Sequence, residues 1–295
     1  MRAAALALSM CGATMLGAAA ALAQSGLQFE PSGRLSLGAT DRTPGADLFL
    51  YGDTSTRLSF GGPLGFELGT YGYVNALDSP HETYGAFTWD FDFGRLSVGV
   101  PRPAYDGFAV SALERGFPAL GADMAGVTRS EATTGAMFAG YLPYGLRFDA
   151  AAGPFTYAFS VHEASNVGVT VASAGLTYSV GDWTLSGAVE GNWGGPADLS
   201  AKAQAAWTRG ALGAGLGLYA PGPLGTAEVV EGFASYRALP ELTVTGVVQA
   251  PLDGTDPTLA LSGRYDLTDR FGLSVGAASV AGSDAVFNAF VDFNF

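Results

Sequence analysis

The sequence predicts an all-β chain whose sixteen antiparallel strands close into a transmembrane β-barrel. Three observations predict it. Apolar and polar residues alternate along most of the chain. Gly, Pro and Asp punctuate that alternation at short, regular intervals. The composition is glycine-rich and aromatic yet poor in charge: 43 glycines in 295 residues, 48% apolar, 12% aromatic and 14% charged, against about 25% charged in an ordinary globular chain.

The same figures exclude several classes. With 14 Lys+Arg against 27 Asp+Glu, the chain lacks the basic clusters that neutralise phosphates, so nucleic acid is not a partner. Its apolar content is too high for disorder. A helical membrane bundle needs clean runs of about 18 apolar residues. Past residue 23, the stretch most free of charge is Gly210–Ala227, which is broken by glycines and two prolines.

Residues 1–23 read as a signal peptide. Arg2 supplies the positive start, an uncharged stretch follows, and Ala21-Leu22-Ala23 forms an A-x-A cleavage site. Cys11 is the only cysteine and falls inside this leader, so the mature chain, 24–295, has no thiol chemistry even in an oxidising compartment.

The elements follow in order from the period of two, which gives each strand one apolar and one polar face. Strands are predicted at 27–37, 48–60, 66–75, 82–91, 95–100, 145–152, 155–162, 168–180, 183–192, 199–208, 211–219, 227–237, 241–250, 257–266, 270–279 and 285–295. Trp183, Leu185, Gly187 and Val189 show one face, and Thr184, Ser186, Ala188 and Glu190 the other. Phe87, Trp89, Phe91 and Phe93 alternate with Thr88, Asp90 and Asp92. In the last strand only Phe290 breaks the polar face. Tight connections such as Asp92-Phe93-Gly94, Gly153-Pro154 and Gly181-Asp182 alternate with generally longer ones, as in a meander with short turns at one end.

A soluble sandwich would also alternate. Three features favour a barrel in lipid. Aromatics fall near strand ends (Phe66, Trp89, Trp183, Trp207, Tyr265, Phe271), where membrane interfaces lie. Arg and Asp share the polar faces, as suits a wet lumen. An even strand number brings both termini to one side. An open sheet cannot span lipid, because its edge groups would be unpaired. One segment breaks the rhythm: 101–144 alternates poorly, apart from a weak strand-like run at 132–140, and is assigned to a long third loop. Loops of that length in compact chains are usually functional.

On these residues the mature chain resembles a general diffusion porin of the Gram-negative outer membrane, of the alphaproteobacterial type. Arg57-Leu58-Ser59-Phe60-Gly61-Gly62 with Leu64-Gly65-Phe66-Glu67 is similar to that family's hairpin between the second and third strands. Thr83-Tyr84-Gly85-Ala86-Phe87 through Phe93-Gly94-Arg95-Leu96-Ser97-Val98-Gly99 is similar to the strands that lead into its constriction loop. Phe295, preceded by Phe293 and Val291, looks like the C-terminal signal read by barrel-assembly machinery. The resemblance implies a homotrimer, set in outer-membrane lipid and lipopolysaccharide, whose third loop (101–144) folds inward as a constriction loop. The chain departs from the family in its brief surface loops and its single lysine.

If alternation holds, Arg34, Arg57, Arg95, Arg147, Lys202 and Arg264 project inward from the wall, and the loop carries Asp106, Glu114, Asp123 and Glu131. In the family, basic wall residues face loop carboxylates across the narrowest point, and the transverse field favours hydrated polar solutes. By that likeness Arg34, Arg57 and Arg95 are expected to face Asp106, Glu114 and Asp123. Arg102, Arg115 and Arg129 in the loop are alternative partners for the same carboxylates. Such an acidic loop also leaves Ca²⁺ binding open, without a diagnostic ligand spacing.

Catalytic patterns are weak. Gly272-Leu273-Ser274-Val275-Gly276 matches G-x-S-x-G, but it sits within a strand rather than at a strand-to-helix turn, and no histidine follows His162. His81 and His162, both placed at surface loops or strand ends, form no Zn pattern. The alternating Gly213, Gly215 and Gly217 read as close strand packing, with a subunit contact as one option. The expected function is passive diffusion of small polar solutes and ions through a water-filled pore, without catalysis or cofactor. A substrate-selective channel, with Tyr105, Phe108 and Phe117 as room for a sugar slide, an outer-membrane barrel hydrolase, and a β-sandwich for binding or adhesion stay open.

Overall fold

A computed structural model of the chain describes residues 27–42, 47–194, 198–222, 227–279 and 284–295, and leaves aside the side chains of 47 and 121–123. The predicted leader lies outside them. Sixteen strands form a closed antiparallel barrel in which each strand pairs with its neighbours in sequence. They are β1 (Gln28–Thr40), β2 (Asp47–Ser59), β3 (Leu64–Val74), β4 (His81–Phe91), β5 (Gly94–Val100), β6 (Pro143–Ala152), β7 (Phe155–Ala164) and β8 (Val169–Val180). The second half comprises β9 (Trp183–Trp193), β10 (Leu199–Arg209), β11 (Leu212–Ala220), β12 (Val229–Arg237), β13 (Leu242–Pro251), β14 (Thr258–Asp266), β15 (Phe271–Ser279) and β16 (Ala285–Asn294). The seam joins β1 to β16, with Arg34 opposite Asn294 and Ser36 opposite Asp292. Closure leaves no strand edge unpaired, which is the condition for crossing a bilayer with strands.

The faces follow from alternation. Leu216 on β11 is 65% exposed, and Leu185, Val189, Leu261 and Val275 on other strands are likewise exposed on the outside. Residues one step along, such as Ala188, Ala260 and Ser274, are buried inside. Outer aromatics gather toward the short-turn end. Trp89, Phe91 and Phe93 stack in sequence, Phe93 meets Phe148, and Phe155 stacks on Tyr178 with centroids 4.8 Å apart. This is the girdle expected where an amphipathic ring meets the headgroups. Phe295 joins it, its ring 4.5 Å from that of Phe293 and its backbone N–H donating to the Gly33 carbonyl.

The third long connection is not an open loop. Residues 101–142 form an inner segment that contains 3₁₀ turns at Ala104–Gly107 and Pro118–Leu120 and three helices: α1 (Ala112–Gly116), α2 (Gly121–Thr128) and α3 (Glu131–Ala139). The strand-like run at 132–140 is therefore helical. Ser130 caps α3 by accepting from the Ala132 N–H, and Gly140 ends it in the left-handed region at φ 69°, a conformation open to glycine at little cost. Ser111 caps α1 in the same way, accepting from the Glu114 N–H.

The core lies inside the barrel, between this segment and the inner wall. Leu113, Phe117, Leu120, Met124 and Val127 pack against Tyr219, Val229, Val247, Ala260 and Ala278 from β11 to β15. Ala119 and Ala125 pack against Phe49, Tyr51, Tyr71, Tyr73 and Tyr84 of β2 to β4 and against Phe290 of β16. Phe290, the apparent exception in the sequence pattern, thus faces inward as its parity requires and meets Phe49 at 6.1 Å.

Candidate functional site: the barrel interior

The inner segment follows the wall before it crosses the lumen. His162 Nε2 donates to the Pro101 carbonyl at 2.8 Å and Arg147 Nη1 to that of Arg102 at 3.0 Å. The N–H groups of Ala104, Tyr105 and Ala109 donate to Ser160, Ser173 and Ser186 Oγ on β7, β8 and β9. Gln204 on β10 then donates to the Val110 carbonyl. Glu231 on β12 receives the N-terminus of α1: Ser111 Oγ and the N–H groups of Ala112 and Leu113 all donate to its carboxylate. A carboxylate there meets unpaired N–H groups and the positive end of the helix. Beyond α1 the chain reaches the opposite wall, where Arg34 and Arg42 on and beside β1 donate to the carbonyls of Arg115 and Ala119. It returns to β10, where Lys202 Nζ donates to the Thr128 carbonyl at 2.6 Å.

Two wall glycines receive aromatic side chains of the segment. The Phe108 ring lies where a Cβ on Gly175 would stand, and a Cβ on Gly276 would come within 2.8 Å of Phe117. Between these anchors Ala109 holds φ +46°, a left-handed conformation that costs an alanine about 1–2 kcal/mol and is held by its N–H bond to Ser186. Tyr105, Phe108 and Phe117 are all buried. They are anchors of the segment, which corrects the reading of them as room for an exposed sugar slide.

The centre of the segment is ionic. Glu114 and Arg129 form a fully buried pair. Glu114 also accepts from Tyr71 OH at 2.9 Å, Tyr51 OH at 3.3 Å and Thr128 Oγ1 at 3.1 Å. Arg129 reaches Asp53 of β2 at 3.3 Å and lies 4.0 Å above the Tyr71 ring. Arg102 pairs with the same Asp53 at 2.8 Å. Burial opposes the charge on Arg129, but the acidic groups around it, Glu114 first, together outweigh burial and hold its pKa well above the ordinary arginine value. A pair this deep is stabilising only while both members and their hydrogen bonds are present.

The wall cations are paired elsewhere. Arg34 and Arg264 each reach Asp292 at 2.6 Å, and Arg264 also reaches Asp266. Arg57 and Arg95 converge on Asp90, and Arg57 also meets Glu30. Arg147 pairs with Asp149, two residues along its own face. Lys202 sits 4.3 Å from the Tyr105 ring centre. On the segment, Asp106 accepts from the Ser130 N–H and Thr133 Oγ1, both at 2.6 Å, and Glu131 accepts from Asn192 Nδ2. The side chain of Asp123 lies outside the described residues. The expected confrontation of Arg34, Arg57 and Arg95 with Asp106 and Glu114 is therefore not the pairing found. Carboxylates on the same wall lie nearer, and Arg129 of the segment takes Glu114.

The segment packs widely against the inner wall. Each of the sixteen strands carries at least one buried inward-facing residue, and the segment touches the seam strands as well as those opposite. Gly213, Gly215 and Gly217 face this interior, with Phe233 over Gly215 and Tyr219 over Gly217; they are close-packing positions rather than an outer subunit contact. His162, expected near the surface, is buried and points inward. Ser274 of the G-x-S-x-G run lies within β15 and donates to Asp292. Among the described residues no group of three or more His, Asp or Glu side chains is disposed to hold a metal ion.

The sequence pattern missed Glu231 and Asp292 as organising residues and named Arg129 only as one of three alternative partners for the loop carboxylates. The motif that marks α1 was present: Ser111 with Glu114 three residues on is a capping-box pattern.

Barrel, seam and inward third connection together define the sixteen-stranded porin architecture. Among solved structures, the chain resembles variants of the porin of Rhodopseudomonas blastica. One aligns with a TM-score of 0.67 at 17% identity and another with 0.67 at 16%, each covering 91% of this chain and all of the other. A structure described under asymmetric conductivity of engineered proteins aligns with a TM-score of 0.69 at 17% identity and the same coverage. No family model matches the chain, and no curated protein does.

Proposed function

We propose that the chain is an outer-membrane channel of the porin kind, passing small hydrophilic solutes and ions by diffusion, and that the inner segment governs passage. The observation that carries this is the closed barrel with an apolar exterior and an interior wall of Arg, Asp, Ser and Thr side chains. The segment packs against the inner wall from β11 to β15 and against β2 to β4, so it narrows the lumen. Ser274 of the G-x-S-x-G run is a strand residue bonded to Asp292, which gives no support to the hydrolase reading. Assembly as a homotrimer, contact with lipopolysaccharide and reading of Phe295 by the assembly machinery belong to the same proposal.

The test is conductance of the purified full chain in a planar bilayer. Stepwise currents support the channel, with steps in threes for a trimer; a barrel that inserts but passes no current under any solute removes it. Arg57→Glu supplies a second measurement. It leaves Glu30, Asp90 and the new carboxylate together near the short-turn end. The reversal potential in a salt gradient is expected to move toward cation selectivity, and an unchanged potential would remove Arg57 from the conduction path.

A further inference from the structure

Beneath α1, on the short-turn side of the filled core, the barrel holds a cavity of about 470 Å³, within the range of about 300–1,000 Å³ typical of small-molecule sites. Three guanidinium groups line it: Arg34 and Arg264 from the wall and Arg115 from α1. The one carboxylate in the lining, Asp292, is fully buried and saturated. It accepts from Arg34, Ser36, Arg264 and Ser274. It therefore has no capacity left for Arg115.

Arg115 is exposed, and its side chain makes a single described hydrogen bond, to the Val110 carbonyl at 3.2 Å. A guanidinium offers five N–H donors, so most of its capacity faces the cavity unused. The wall beside α1 adds the hydroxyls of Ser235, Thr243, Thr245 and Ser262 to the lining. Unlike Ser274, these four enter no hydrogen bond among the described residues. A surplus cation and free hydroxyls in one lining match a solute with an anionic end and a hydroxylated body.

We infer that this cavity is a binding site for small hydroxylated carboxylates, with Arg115 as the main charge partner and the wall hydroxyls reading the chain of the solute. The inference deepens the channel reading by naming its solute class. Binding does not itself require conduction. The geometry orders the contacts: Arg34 and Arg264 are held to Asp292, and Arg34 also pins the Arg115 carbonyl, so the Arg115 side chain is the group left to meet the carboxylate, in the forked geometry that guanidinium provides.

The experiment is titration calorimetry of the full chain folded in detergent, with gluconate, sorbitol and acetate as probes. Gluconate is expected to bind at least about tenfold more tightly than sorbitol, which lacks the charge, or acetate, which lacks the hydroxylated body. Arg115→Gln, at an exposed position, is expected to weaken gluconate binding by about tenfold. Thr245→Val is expected to weaken gluconate severalfold and leave acetate unchanged. Gluconate binding no better than both controls, or binding unaltered by either substitution, overturns the inference. The channel reading fails separately: a barrel that binds gluconate but carries no current keeps the site and loses the channel, and one that conducts without binding does the reverse.

Discussion

Replacing Arg129 with alanine is expected to release the inner segment and raise channel opening more than any other single change. Arg129 is the only described cation in contact with the buried Glu114, and it also ties the segment to Asp53 on β2. Its removal leaves a buried carboxylate supported by two tyrosines and a threonine alone. Breaking such a pair costs about 3–5 kcal/mol, and about 3 kcal/mol changes an equilibrium constant by more than about a hundredfold. The cost falls on the filled state, since a displaced segment rehydrates Glu114. In planar bilayers, the R129A barrel is therefore expected to show a larger open fraction than the wild type. The two barrels should stay alike in circular dichroism and in heat-dependent gel migration, because no strand pairing involves Arg129. Equal open fractions would mean that the segment does not control passage.

The second large effect concerns the outer wall. Leu216 sits at the middle of β11, faces outward and is 65% exposed. In lipid, Leu216→Arg places a charge at the depth of greatest cost, about 2–4 kcal/mol. Leu212→Arg, at the strand end, should cost no more than about 1 kcal/mol. On a water-soluble surface both changes would fall within about 0.5 kcal/mol. Reversible denaturant unfolding from lipid vesicles, followed by tryptophan fluorescence, measures the difference. Equal small losses at the two positions would place this face in water and remove the membrane assignment.

The strands were legible because their signal is local. Alternation such as Trp183, Leu185, Gly187 and Val189 needs no partner to be read, and the turns at Asp92-Phe93 and Gly181-Asp182 break it where β4 and β8 end. Predicted and observed strand limits differ by no more than three residues. The inner segment was legible only as an interruption. Its helices are short, and α3 begins at a Ser-Glu step with no amphipathic stripe to announce it. Inward projection of the wall cations followed from parity, but their partners did not. Arg34 and Asp292 are far apart in sequence and meet only because the seam closes, whereas Arg147 and Asp149 are two apart and could have been paired by eye. Which of Arg102, Arg115 and Arg129 would take Glu114 is likewise a question of how the segment folds, and its sequence leaves all three equivalent.

The seam bears on how the molecule is put together. Arg34 of β1 holds a carbonyl of α1, and Phe290 of β16 rests in the cluster containing Ala119 and Ala125. The first and last strands thus each touch the material they enclose. A hoop whose two ends both grip its filling is wound around that filling, as cloth is wound on a bobbin. Residues 101–142 emerge between the fifth and sixth strands, so they are in hand well before the sixteenth arrives to meet the first.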